Sequence, residues 1–245
     1  MMKRFFAIAL FVLGLGQLYA QPVRDTAWTK AGYFGLKLTQ VSLSSWSAGG
    51  ESALAFDSQI TYSADFKRDR QLWQNRLELG YGLTKNDGKS ARKTNDKIYF
   101  ASTYGYQIYK TLYWSALLNF NTQFAKGYDY NIEDSDFISK FMAPGYLMIG
   151  TGVTWSPNKI FTATFTPASW RGTIVADSRL ADEGAFGVDK GKHLLSEFGA
   201  NLKAEVNYEF LPNMKVYSRL ELYSNYLEDP QNVDVRWEVQ LNMAI

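Results

Sequence analysis

In the stretch NLKAEVNYEF, residues 201–210, Lys203, Glu205, Asn207 and Glu209 alternate with Leu202, Ala204, Val206, Tyr208 and Phe210. Successive side chains of a strand point to opposite faces, so this segment reads as a β-strand with one charged and one apolar face. The same alternation recurs over residues 54–66, 73–83, 98–108, 112–124, 147–155, 161–165, 214–226 and 233–245, and more weakly over 33–43, which predicts ten strands. Turned inward, the apolar face would make a soluble sandwich or lipocalin-like barrel; turned outward, it would make an outer-membrane barrel. The alternation is compatible with both.

Two further patterns favour lipid. The links KRDRQ, YKT, SPNK and LPN are tight turns, and they alternate with longer links: SSWSAGGE, the basic loop at 86–95, and the segments 126–142, 167–192 and EDPQN. Outer-membrane barrels alternate short periplasmic turns with long external loops. Aromatic residues also gather beside the tight turns: Phe66 and Trp73, Trp114 after Ile108, Trp155 and Phe161, and Tyr208 and Phe210 before Met214. An amphipathic ring is best placed at headgroup depth, so this sorting is what an interfacial girdle requires. Strands of about 11 to 13 residues are long enough to cross a bilayer at a tilt.

The chain opens MMKRFFAIALFVLGLGQLYAQ, with Lys3 and Arg4 before an apolar run and Ala20 before Gln21. These are the parts of a secretory signal peptide over residues 1–20, which leaves residues 21–245 as a single β-barrel domain. The 26 basic and 24 acidic residues of the whole chain become equal in number once that leader is removed. An uncharged balance supplies no attraction to nucleic acid. There is no cysteine, which excludes thiol chemistry and disulfides.

The expected architecture is therefore all-β: an antiparallel up-and-down transmembrane β-barrel of about ten strands in this chain, or twelve if a C-terminal hairpin is missing after Ile245. The residues expected to line its lumen are Asp57, Arg76, Glu78, Lys203, Glu205, Glu209, Lys215, Arg219, Glu221, Arg236 and Glu238. Such a face could border a narrow water path or fill a small barrel with its own ion pairs.

Motifs for chemistry are sparse. The GKS at residues 88–90 lacks the earlier glycine of a phosphate loop, Leu83 standing in its place. His193 is the single histidine, and Asp177, Asp182, Glu183 and Asp189 precede it. Asp129, Glu133, Asp134 and Asp136 crowd one loop without the glycine-turn spacing of a calcium site. No catalytic, cofactor or metal residues are assigned from these.

Five blocks carry a family resemblance: QVSLSSWSAGGESAL, RKTNDKIYFASTYGYQ, YWSALLNFNTQFAKGYDY, TIVADSRLADEGAFGV and NYLEDPQNVDVRWEVQLNM. In these the chain resembles the domain of unknown function numbered three-zero-seven-eight, a family of exported Bacteroidetes proteins treated as outer-membrane β-barrels. The resemblance implies a barrel in the bacterial outer membrane and supplies no catalytic residues. Members usually continue with a further hairpin ending in an aromatic residue. The expected role is a non-enzymatic narrow pore, or a structural barrel that binds an external protein partner. Its expected partners are outer-membrane lipid and a small solute, with no cofactor. The alternatives are an outer-membrane hydrolase using His193 with a loop carboxylate, and a soluble exported ligand-binding barrel.

Overall fold

A computed structural model describes residues 27–43, 50–132 and 136–243 of the chain. The expected signal peptide lies outside these residues, as do Glu133 and Asp134. In chain order the elements are β1 (Trp28–Val41), β2 (Ala53–Arg68), β3 (Gln71–Asn86), β4 (Arg92–Tyr109), β5 (Leu112–Thr122), β6 (Gly127–Tyr128), β7 (Phe137–Ser139), β8 (Gly145–Trp155) and β9 (Phe161–Ile174). After them come the helix α1 (Ser178–Glu183), β10 (Leu194–Leu211), β11 (Met214–Asn225) and β12 (Val233–Met243). Ten of the strands form one antiparallel sheet in chain order, with β5 pairing directly to β8 across the small β6–β7 ladder. This is the all-β, up-and-down arrangement expected from the alternation. β1 and β12 are the edges, and no ladder joins them among the described residues.

The four tight turns fall together at one end of the sheet. Three of them need a residue in the left-handed region, filled by Asp69 (φ 52°), Lys110 (φ 27°) and Asn213 (φ 68°). In the fourth, the Asn158 side chain accepts from the backbone N–H groups of Ile160 (2.8 Å) and Phe161 (2.9 Å). All the longer links lie at the opposite end.

Two expectations are corrected. The strands run to 18 residues in β4 and β10, longer than the alternation marks, because their loop-end turns continue the ladder beyond the two-faced stretch. The segment 167–192 is not one loop. β9 continues through Pro167 to Ile174, and the ladders with β8 and β10 both shift register there. A bulge leaves one residue unpaired, so a proline without an N–H is accommodated inside a strand.

Register places side chains of the charged face opposite one another, and several meet across more than one strand. Asn95 on β4 donates to Asp57 on β2 (3.1 Å) over Gly82 of β3, where a β-carbon would stand 2.6 Å from the Asp57 carboxylate. Arg171 on β9 reaches Asp234 on β12 (3.1 Å), although three strand spacings in a flat sheet would be about 14 Å. The sheet is therefore curled, and the charged face is its concave side.

Burial is inverted relative to a water-soluble β protein. The fully enclosed apolar cluster is Ala143, Val175, Leu180, Ala181 and Val188, all in the loops at one end. Within the sheet the buried residues are mainly polar: Ser115, Thr164, Thr166, Ser169 and Asn201. The apolar rows lie on the convex side and are open, with Trp237 71% and Trp114 46% exposed.

Candidate functional site

The concave face has a filled half and a hollow half. Toward the turns, hydroxyls pair from strand to strand: Ser115 donates to Thr154 (2.8 Å), Thr154 and Thr164 lie 3.0 Å apart, and Ser169 donates to the Gly199 carbonyl (2.8 Å). Glycines at these positions bring the strands close, and a β-carbon at Gly150 would stand 2.6 Å from Thr166 Cγ2. Toward the loops the same face opens into a cavity of about 690 Å³.

Arg171 organises this cavity. Its Nε and Nη2 each donate to Glu197 at 2.9 Å, Nη2 also reaches Asp234, and its guanidinium stacks 3.7 Å from the centre of the Tyr223 ring. Planar stacking combined with a two-pronged carboxylate contact is particular to arginine. Gly199 leaves room for the Tyr223 ring, since a β-carbon there would stand 2.0 Å from the Ser224 carbonyl oxygen and 3.1 Å from the ring. Four consecutive strands, β9 to β12, are thus tied at one point.

All eleven residues expected to line one surface fall on this concave face by register. Some of them pair: Arg76 with Glu78 (2.5 Å), Lys203 with Glu205 (3.2 Å), Lys215 with Glu209 (3.2 Å) and Arg219 with Glu238 (2.5 Å). Arg219, Glu221 and Arg236 border the cavity, whereas Asp57, Glu209 and Lys215 stand away from it. Arg171, Glu197 and Asp234 were not among the expected residues. Arg171 was hidden by reading Pro167 as the end of a strand, although the alternation Ser169, Arg171, Thr173 would have revealed it.

A cap built from residues 123–132, 136–144 and 175–193 stands at the loop end, and its Phe186 reaches the hollow half. Asp177 is the N-cap of α1, accepting from the Leu180 N–H (3.0 Å) and pairing with Lys140 (2.5 Å). Phe137 is ringed by Lys126 (4.6 Å), Arg179 (4.5 Å) and Lys140 (5.6 Å). His193 Nδ1 lies 2.7 Å from the Val175 carbonyl, so it ties the two ends of the second segment together. It makes no ion pair with a carboxylate among the described residues, while Asp189 pairs with Lys192 and Glu183 with Arg179. Among the described residues no three potential ligands gather as a metal group, and Asp129 serves an Asx turn by accepting from the Asn131 N–H (3.0 Å). The GKS residues lie in the exposed β3–β4 link.

The Lys140 contact, followed by the Leu180 N–H, holds the Asp177 carboxyl below its ordinary range. A carboxylate depressed in the folded state stabilises above its unfolded pKa, about 3.9, and that contribution is lost as pH falls through the lower folded value. Limited proteolysis of the cap should therefore accelerate below about pH 4. Asp177→Ala should weaken the cap at neutral pH by about 1 kcal/mol and remove the acid step. An unchanged acid step in that variant would assign it to another group.

Only the first part of the charged concave face, from β1 to β5, lies on a segment with relatives of its own. Residues 38–128 match the family described as "Protein of unknown function (DUF3078)". This match runs from β1 into β6 and covers three of the five blocks in which the resemblance was read, almost in full. The blocks at 173–188 and 225–243 lie beyond it. No curated protein and no solved structure matches the chain. No helix among the described residues is long and apolar enough to cross a membrane.

Proposed function

We propose that this chain is a non-enzymatic β-barrel protein of the bacterial outer membrane, with a filled rather than freely conducting interior. One observation carries the reading: the enclosed apolar cluster is in the loop cap, while the sheet buries hydroxyls and amides and presents tryptophan, phenylalanine and leucine outward. Water would penalise that arrangement, and lipid favours it.

The polar groups on the convex face support it as well. Trp73 donates to Ser102 (2.9 Å), which donates to Asn75 (2.8 Å), whose amide donates to the Ala64 carbonyl (3.1 Å). Trp170 and Trp237 likewise donate to outward serines on neighbouring strands, Ser196 (2.6 Å) and Ser218 (3.0 Å). Internal pairing of this kind is what a face without water demands. Aromatic contacts mark two levels: Trp28 with Phe66 (5.3 Å) and Trp155 with Phe161 (5.6 Å) near the turns, and Phe198 with Tyr226 (6.0 Å) near the loops. Phe161 and Trp170 on β9 are about 30 Å apart along the strand. At the usual barrel tilt this gives about 23 Å along the membrane normal, close to the apolar band of about 25 Å.

Ten strands of alternating direction leave β1 and β12 antiparallel. In lipid their free edges would have to be paired, with each other or through further strands. The hydroxyl-filled half of the concave face and the cap at the loop end favour a filled interior over an open path.

The chain has no cysteine, so single cysteines can be labelled without background. In vesicles, a fluorophore at Leu202→Cys should be quenched by a lipid-borne quencher, and one at Lys203→Cys should not. Equal quenching of both by a water-borne ion, in a protein that stays dissolved without detergent, would overturn the membrane reading. Planar-bilayer recording should show no steady unit current, and such a current would overturn the filled interior.

A further inference from the structure

Across most of the concave face polar side chains satisfy one another, but one wall of the cavity is an exception. Tyr99, Asn121 and Tyr146 are direct neighbours in register on β4, β5 and β8, and Asn119 is the next inward position on β5. None of the four makes a side-chain hydrogen bond within the protein among the described residues. They present two phenols and two amides, in a row, to open space.

On the facing wall two of the three arginines are held by carboxylates. Arg171 is held by Glu197 and Asp234, and Arg219 by Glu238. On the cavity surface Arg171, Arg219 and Arg236 are balanced by Glu197, Glu221 and Asp234, so the formal charge sums to zero. Such a site has no net field to draw in an ion. A third element closes the rim: Phe186 of the cap reaches the cavity in the left-handed conformation (φ 59°), flanked by Gly184 and Gly187, which also have positive φ. A bulky residue persists there only where its surroundings hold it.

We propose that this vestibule binds a neutral, polyhydroxylated ligand, namely a short saccharide entering from the loop side. A sugar hydroxyl is donor and acceptor at once, and so are the amide of asparagine and the hydroxyl of tyrosine. The four unpartnered groups would receive one edge of the ring, and Phe186 with Leu195 offers apolar surface to its C–H face. The buried Tyr223 hydroxyl and the Arg219 Nε, both on the cavity wall, also lack a protein hydrogen bond. The volume of about 690 Å³ is in the range of small-molecule sites and exceeds what one pyranose needs. Because the site is on the concave face, the inference stands whether the convex face meets lipid or water.

The test is isothermal titration of the folded full-length chain with maltotriose and cellotriose, with anionic glucuronate and zwitterionic glycine as the comparisons bearing formal charges. At least one neutral trisaccharide should bind, and the charged probes should not. Asn121→Leu and Asn119→Leu should each weaken binding by about tenfold or more, since each leaves sugar hydroxyls unpaired. Tyr146→Phe, which keeps the ring and removes one hydroxyl, should weaken it less. Asn207→Leu, on the same face near the turns, should leave it unchanged. Absence of binding by both trisaccharides would overturn the proposal, as would preferential binding of a charged probe or affinity indifferent to Asn119, Asn121 and Tyr146. A lipid-labelling result contrary to the membrane reading would leave this outcome unaffected, so the two can fail separately.

Discussion

Gly152→Ala should be among the most destabilising single substitutions in the sheet, although it adds one methyl group. A β-carbon at this position of β8 would stand 2.0 Å from the Phe165 carbonyl oxygen and 2.7 Å from the Thr166 Cα. Both atoms are backbone, pushed toward β8 by the bulge at Pro167, so no rotamer change can relieve the clash. Overpacking usually costs about 1–3 kcal/mol, and a clash with backbone belongs at or above the top of that range. Gly105 supplies the control because it lies on the same register line, through Ser115, and its β-carbon would meet nothing nearer than 3.6 Å. Gly105→Ala should be neutral or stabilise by up to about 1 kcal/mol, since alanine costs less chain entropy in a strand. Urea unfolding followed by tryptophan fluorescence should separate the two variants clearly. Equal midpoints would mean that β8 and β9 do not approach as described.

Arg171→Met should have the second large effect, through what it leaves behind. Glu197, whose side chain is 14% exposed, would keep its charge with no guanidinium beside it, and Asp234 would lose its hold on β9. Removing one partner of a fully buried ion pair costs about 3–5 kcal/mol. Arg171 is 29% exposed, so solvent reduces this to about 2–3 kcal/mol. Replacing both partners, as Arg171→Met with Glu197→Leu, should restore part of the loss because no unpaired charge remains. The single variant should also open β12 to protease, since the Asp234 contact is the longest reach across the sheet. A double variant less stable than the sum of the single changes would show that the carboxylate, not its desolvation, carries the stability.

The elements that were legible in the sequence are those in which a local rule decides. Two-faced alternation over residues such as 54–66 survives as β2 because each inward or outward position repeats every second residue, whatever the partner strand. The tight turns were legible for a similar reason, since three to five residues rich in Asp, Asn, Pro and Lys between alternating runs favour a sharp reversal. β9 beyond Pro167 was obscured because a proline normally ends a ladder, and whether a bulge absorbs it depends on Gly152 opposite. The cap was not legible. α1 has six residues, too few to form from propensity, and the Asp177 that caps it is also held by Lys140 from a distant segment. His193 was visible as the only histidine, but its carbonyl partner was not.

The sequence by itself determined which residues share a face, including all eleven expected on the charged side, because strand alternation is a property of one chain segment. It also determined the four strand pairs joined by tight turns, because so short a link permits only a neighbouring antiparallel pair. The tertiary structure alone decided which face became concave. Alternation is unchanged when a sheet is bent the other way, and the choice is made by contacts between strands two and three apart: Asp57 with Asn95 over a glycine, and Arg171 with Asp234 past Tyr223. Those contacts require curvature, and no single strand contains the information for it.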